Sequence, residues 1–326
     1  MISFVVLFGK THIDIFFDTC LPSLITGNNI PSIKGEAVNL LIATINSDAP
    51  YVHKKLDIFR DSLKCFSRVK VIASKVYNSE IIDSTKVASV IYHLMSKCIN
   101  ICYKSRQSFL FIAADQIFLD GTIGTNWDLH KVTGKIVATL NFRIKYKGQA
   151  FKIKDFSKRN LKKILFKNFA FPLYYSVEEF ESDVSKCLMV DYGFAIVSGE
   201  HILIFSETPN PMIGKIQLED LLFFAKQERY NAWDSTWIQY LYTTNRLFVQ
   251  TNGDIALTIE PEPEAELAWK EDRSATSRAN TLKKLQRHFG DVLDEPAMTD
   301  LMQRYSGAHP RGQSFCFSIR IDGAMD

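Results

Sequence analysis

An acidic residue stands directly after an uninterrupted apolar run: Phe109-Leu-Phe-Ile-Ala-Ala-Asp115, followed by Gln-Ile-Phe-Leu and then Asp120-Gly121. The run reads as a strand buried on both faces, and Asp115 then falls at its carboxyl end. An ionised carboxylate in that position is costly to desolvate unless a partner compensates it. A divalent cation is such a partner, and a hard cation that also holds a diphosphate takes carboxylate oxygens. Asp115 is therefore a candidate for binding a metal and a pyrophosphate. The same residue could instead cap the turn that follows, and at this point both readings stand.

Other chemistry-bearing residues are less pointed. Gly9-Lys10-Thr11 looks like the end of a phosphate-binding P-loop, but Phe4 occupies the position of the upstream glycine, so that reading is rejected. Cys98 and Cys102 lie four apart on an apolar helix face with no histidine or cysteine pair beside them, which predicts core packing. His93 sits mid-helix beside Leu94 and reads as a packing histidine. The lysines of Lys152 to Lys167 suit a solvated helix face or an anionic surface.

The elements that must position these residues alternate regularly. Ile2 to Phe8, Leu40 to Ile45 and Phe109 to Ala114 read as buried strands, and Val69 to Ala73 as a further strand. Between them, Thr11 to Leu21, Tyr51 to Leu63 and Ser84 to Tyr103 show helical periodicity, with Ser84 a candidate N-cap. This order predicts an α/β fold: an open, mainly parallel, Rossmann-like sheet with helices on both faces. Ligands of such sheets sit outside the carboxyl ends of the strands. Gly9-Lys10-Thr11, Asn46-Ser47-Asp48, Ser74-Lys75 and Asp115 occupy those places.

Further along, Val137 to Phe142 and Cys187 to Ile204 predict strands, and Ile216 to Glu228 and Trp233 to Thr243 predict helices. Leu247 to Ile259 predicts two strands around an Asn252-Gly253 hairpin turn. Pro261 and Pro263 in EPEPE then read as a stiff linker. Beyond it, Glu264 to Phe289 and Asp294 to Tyr305 favour helix. The expected division is a domain over 1–259 and a linker with a helical C-terminal extension over 260–326.

The chain has 326 residues, is 46% hydrophobic and 23% charged, and carries a net charge of +3. That composition excludes a disordered or fibrous chain, and the charge does not point to nucleic acid. Six cysteines without framework spacing fit a reducing compartment. No signal peptide or apolar run long enough to span a membrane is visible. The expected location is cytoplasmic, with peripheral attachment to the inner face of the membrane left open.

With these elements in place, the chain resembles the GT-A class of nucleotide-sugar glycosyltransferases. In that class the fourth strand ends in an Asp-x-Asp signature that holds a metal and the sugar-nucleotide diphosphate. Here Ile112-Ala113-Ala114-Asp115 stands in its place, with Ala113 at the first aspartate and Asp115 matching the last. The opening also resembles a group of bacterial GT-A-like proteins with a Leu-Pro-Ser-Leu…Gly-Asn-x-Pro stretch, present as Leu21-Pro22-Ser23-Leu24 and Gly27-Asn28-Asn29-Ile30-Pro31. In that group an aspartate and glycine follow, as Asp120-Gly121 do here.

The resemblance implies transfer of a sugar from a nucleotide-sugar donor to a glycan or lipid-linked acceptor, assisted by Mn²⁺ or Mg²⁺. It implies that Asp115 holds the metal, with His201 a candidate second ligand. It places nucleotide over the ends of the first strands, where Gly9 permits close approach and Thr44 and Asn46 could hydrogen-bond ribose or base. Plain turn chemistry is the alternative for those three. An inverting mechanism would need a carboxylate base, with Glu219, Asp220 and Asp191 as candidates. Tyr174, Tyr175 and Trp233 to Trp237 pack in a core or line a sugar cleft. Two other functions stay open: a non-catalytic binding or scaffold module, motivated by Ala113, and a sugar nucleotidyltransferase.

Overall fold

Alternate residues of the buried strands go to opposite faces of one sheet. Val5, Leu40, Ile42, Leu110 and Ile112 join one apolar cluster, while Phe4, Leu41, Ala43, Phe109 and Phe111 join the other. This period of two, apolar on both sides, is why these segments read as continuous hydrophobic runs. The structure is a computed structural model and describes residues 1–75, 87–146, 175–176, 188–190, 193–198, 201–206, 210–225, 236–263 and 315–320.

The strands are Ile2–Val6 (β1), Asn39–Ile45 (β2), Arg68–Ser74 (β3), Ser108–Ile112 (β4), Ile117–Phe118 (β5), Ile136–Thr139 (β6), Asn141–Tyr146 (β7), Tyr175–Ser176 (β8), Leu188–Val190 (β9), Gly193–Ser198 (β10), His201–Ser206 (β11), Asn210–Lys215 (β12), Leu247–Gln250 (β13), Thr258–Pro263 (β14) and Phe315–Arg320 (β15). The main sheet has the order β13-β6-β12-β4-β1-β2-β3. β12 alone runs against its neighbours; every other pairing in that sheet is parallel. This is an open, mainly parallel α/β sheet.

Helices cover both faces. Lys10–Ile15 (α1) continues through a π-helical turn, Phe16–Cys20, into Leu21–Leu24 (α2). With Ala49–Ile58 (α3) and Thr122–Thr133 (α5), these helices pack Phe16, Phe17, Leu21, Val52 and Ile123 onto the first face. Val87–Ser105 (α4), Leu218–Ala225 (α6) and Thr236–Thr243 (α7) pack Val90, Leu94, Cys98, Phe224 and Trp237 onto the second. Cys98 and Cys102 are core thiols, as the spacing predicts, and burial pushes Cys102 up to about 12. Trp237 is wholly buried against Phe109 and Phe224, so it lines no sugar cleft. Trp233 and Tyr174 lie outside the described residues. Among the described residues no helix is long and apolar enough to cross a membrane.

Two expectations fail in the second half. The segments flanking Asn252-Gly253 do not pair as a hairpin: β13 lies beside β6, and β14 beside β5 and β7. The Asn252-Gly253 turn instead meets β15, where the Gly253 N–H donates to the Ser318 carbonyl at 2.8 Å. The EPEPE stretch is no linker over its first residues, because Glu260 to Pro263 continue β14 and pair with Arg143 to Tyr146. A tertiary amide cannot donate to a ladder, so proline suits an end or an edge, and here both prolines fall in the outer half of β14. The described part of 260–326 is therefore strand, with β15 completing a second sheet, β15-β11-β10-β8, in which β9 also pairs β10. The helices expected over 264–289 and 294–305, and the one over 152–167, lie outside the described residues.

The last turn of α5 carries a buried histidine with both ring nitrogens engaged. His130 Nδ1 lies 2.7 Å from the Lys135 carbonyl, which requires Nδ1 to donate, and Nε2 lies 3.1 Å from Ser108 Oγ. Burial, and after it the Lys215 charge, hold its pKa below the ordinary histidine value despite the carbonyl contact. A histidine that resists protonation when folded binds fewer protons than in the unfolded chain. Its contribution to stability is present above about pH 6.5 and is lost as pH falls below that value. Urea unfolding at decreasing pH is expected to show a falling midpoint through this window, with His130→Gln flattening the dependence. An unchanged slope in that variant would remove His130 as a cause.

Candidate active site

β1, β2 and β4 are adjacent and parallel, so the segments that leave their carboxyl ends share one edge of the sheet. After β1 the chain turns at Gly9, where φ is +74°, a backbone conformation that costs a residue with a Cβ. The Gly9 N–H donates to Asp48 Oδ2 at 2.6 Å. Asp48 follows β2 and stands at the N-terminus of α3 without capping it; its carboxylate binds the neighbouring loop. The Asn46 N–H donates to the Ser74 carbonyl at 2.9 Å, tying the end of β2 to β3, and leaves the Asn46 and Ser47 side chains exposed.

Asp115 lies on the same edge, half-buried in the turn after β4. Gln116 staples that turn: its N–H donates to the Ala113 carbonyl, and its side-chain oxygen accepts from the Ala113 N–H, each at 3.1 Å. The Cys20 thiol reaches the Ala113 carbonyl from behind at 3.7 Å. Burial, and after it the Asp115 charge, hold that thiol well above the ordinary cysteine range, so Cys20 stays neutral beside the carboxylate.

The two stretches that carry the GT-A-like resemblance meet just behind Asp115. Asn29 is fully buried and donates to the Ser23 carbonyl at 2.8 Å, to Thr26 Oγ1 at 2.9 Å and to the Leu119 carbonyl at 3.3 Å. Its side-chain oxygen accepts from the Ile123 N–H at 3.0 Å, satisfying a donor in the first turn of α5. Asp120 accepts from the Asn28 N–H at 3.2 Å and from Asn28 Nδ2 at 2.7 Å. Gly124 packs so closely on this stretch that an added Cβ would lie 2.5 Å from Ser32 Oγ. The Leu-Pro-Ser-Leu…Gly-Asn-x-Pro stretch is thus the framework that fixes the path from Asp115 to α5.

The structure brings together Gly9, Asn46 and Asp115, and adds Asp48, which the sequence flagged only as part of a tripeptide following a strand. It does not bring the others to them. Thr44 sits near the end of β2 but is fully buried, and its hydroxyl has no partner among the described residues. Its side chain points into the packed face of the sheet, so it cannot reach a ligand on the edge.

Glu219 and Asp220 are a second correction. They begin α6, which follows β12, and β12 is antiparallel: its last residue, Lys215, pairs with the first residue of β4, Ser108. The pair therefore lies at the amino edge of the sheet, separated from Asp115 by the whole of β4, about 13 Å of strand. Asp220 is fully buried, with both oxygens gripped by Arg246 at 2.8 and 2.7 Å and further bonds from Trp237 Nε1 and the Gln217 N–H. Its carboxylate is committed to the fold and has no access to an acceptor hydroxyl. Glu219 is exposed on that same far edge.

His201 opens β11 in the second sheet, where its backbone pairs with Ser198 and Arg320. Asp191 lies outside the described residues. Among the described residues no three histidine, cysteine, aspartate or glutamate side chains cluster as metal ligands.

No family model matches the chain. No curated protein matches it either. Among solved structures, the chain is similar to the crystal structure of S. aureus TarS, with 13% identity, a TM-score of 0.26, and coverage of 46% of this chain and 23% of that one. The chain thus matches about a quarter of the length of that structure.

Proposed function

We propose that the carboxyl edge of β1, β2 and β4 binds a nucleotide-sugar and that the chain is a GT-A-like glycosyltransferase acting on a glycan or lipid-linked acceptor. The observation that carries this reading is that Asp115 follows a central strand, in a turn stapled by Gln116, on the same sheet edge as the Gly9–Asp48 link. Open parallel sheets take their ligands at this edge. Gly9 leaves room for close backbone approach, and the exposed Asn46 and Ser47 offer donors and acceptors to ribose or base.

A single carboxylate suits Mg²⁺ or Mn²⁺, which keep waters and substrate phosphate oxygens as most of their ligands. Asp115 would hold the cation, with waters and substrate phosphate oxygens as its other ligands. When bound, the cation supplies Lewis-acid stabilisation of the leaving diphosphate. Asp191 is the acceptor base in an inverting version of this reading.

The test is thermal unfolding with UDP- and GDP-sugars in the presence of Mn²⁺. A ligand at 100 times its Kd adds about 2.7 kcal/mol of stability, and wild type is expected to gain roughly 4 °C. Asp115→Ala is expected to lose that gain while its ligand-free midpoint stays near the wild-type value. Stabilisation that survives Asp115→Ala would move the binding site elsewhere. The lack of any nucleotide effect would leave a non-catalytic binding module. Release of pyrophosphate rather than nucleotide diphosphate from the donor would identify a nucleotidyltransferase.

A further inference from the structure

A groove of about 500 Å³ runs along α5 against the segment from Asn28 to Lys34. Its place in the fold follows from the chain direction. The C-terminus of α5 leads through Gly134 into the start of β6, at the amino edge, so its N-terminus lies at the carboxyl edge. Asp120, on the rim of the groove, is five residues beyond Asp115. The groove therefore opens on the edge that carries the proposed donor site.

Its lining is polar and of mixed sign. Lys34 and Lys131 face it, and so do Asp120 and Asp128. Asp120 is fixed by Asn28, and Asp128 pairs with Lys131 at 2.8 Å. An anion entering the groove meets two carboxylates, and a cation meets two ammonium groups. An apolar ligand meets few apolar walls beyond the Trp127 ring, over which Lys131 Nζ sits 5.7 Å from the centroid. Neutral hydroxyl groups, which both donate and accept, match every one of these partners. Trp127 itself is 5% exposed and contributes only part of its ring to the wall.

We propose that this groove binds a neutral polyhydroxylated ligand and that it seats the glycan part of the acceptor. The acceptor assignment rests on the transferase reading above; binding of a neutral glycan does not. Volume supports the size class, because small-molecule sites span about 300–1,000 Å³, enough for a di- or trisaccharide.

The experiment is titration calorimetry of the full chain with neutral oligosaccharides of glucose, galactose, mannose and N-acetylglucosamine, and with inorganic phosphate as the anionic probe. At least one oligosaccharide is expected to bind with a Kd in the range of about 1 mM or tighter. Thr125→Trp, which fills the groove, and Asp128→Lys, on an exposed position that leaves the packing intact, are each expected to weaken it by about tenfold or more. Phosphate is expected not to compete. Binding of no oligosaccharide, binding that both variants retain, or displacement by phosphate would each overturn the proposal. Nucleotide-sugar titrations of the same variants separate the two readings. A groove that binds glycan in a chain that binds no nucleotide sinks the transferase and leaves the glycan site standing.

Discussion

Arg246→Ala is expected to destabilise the protein by about 3–5 kcal/mol, the range for removing one partner of a buried ion pair. The Asp220 side chain is 0% exposed, and the guanidinium grips both of its oxygens. Truncating the arginine leaves an ionised carboxylate in the amino edge of the core with only the Trp237 indole and the Gln217 N–H to satisfy it. Asp220→Ala should cost a similar amount by stranding the cation. Replacing both together, as Asp220→Leu with Arg246→Met, should restore much of the loss, because a well-packed apolar pair does nearly as well as a buried ionic one. Urea unfolding of the four proteins measures how much of the loss the apolar pair restores. Single losses below about 1 kcal/mol would mean that the pair behaves like a surface bridge. The same series separates structure from chemistry. If nucleotide-sugar cleavage is found, Asp220→Asn should retain it per folded molecule within a few-fold, whereas loss of a general base costs about 10²–10⁴-fold.

The misplacement of Glu219-Asp220 shows where reading from the chain alone stops. Two acids opening an apolar helix are visible locally; which edge of the sheet that helix starts from is not. The answer lies in β12, a strand the sequence conceals. Pro211 sits at a bulge and Gly214 packs against Ile136 so closely that a side chain would not fit. Proline and glycine so close together read as loop, yet here one accommodates an irregular register and the other a close approach. Because β12 is antiparallel, α6 begins on the far edge. EPEPE reads as linker for the same reason: its composition is that of a linker, and its pairing with β7 depends on a partner more than a hundred residues earlier.

β1, β2 and β4 were legible because their apolar runs encode burial on both faces, and no long-range information is needed to see that; β3 is the edge strand, with Arg68, Lys70 and Ala73 exposed. Asp115 was legible by the same token, since a charge at the end of such a run conflicts with its surroundings. Asp48 was harder. Asn-Ser-Asp after a strand is ordinary turn composition, and only the Gly9 N–H that its carboxylate receives marks it out. Thr44 misled in the opposite sense: its residue type suits a ligand contact, but strand parity points it inward, to the same face as Leu40 and Ile42.

The framework behind Asp115 makes the second large prediction. Asn29→Ala is expected to destabilise by about 3 kcal/mol, since it strands the Ile123 N–H and removes donors from three buried acceptors. Asn29→Asp, nearly the same shape, should be worse than its conservatism suggests. One carboxylate oxygen could still accept from Ile123 at the start of α5, where negative charge is favoured. The other would face the Ser23 and Leu119 carbonyls at hydrogen-bond distance with no proton between them, so a buried charge would meet two acceptors. Ser32→Ala is the mild comparison, because its hydroxyl only donates to the Asn28 and Asn29 carbonyls at a partly open site. Amide exchange locates the damage: Ile123 should lose protection in both Asn29 variants while the β1–β2 ladder keeps it. Nucleotide-sugar affinity should fall with it, although Asn29 is buried away from any ligand, because Leu119 and the first turn of α5, which follow the turn bearing Asp115, are held by this side chain. An Asn29→Asp protein as stable as wild type would show that the two stretches are not held together by this amide.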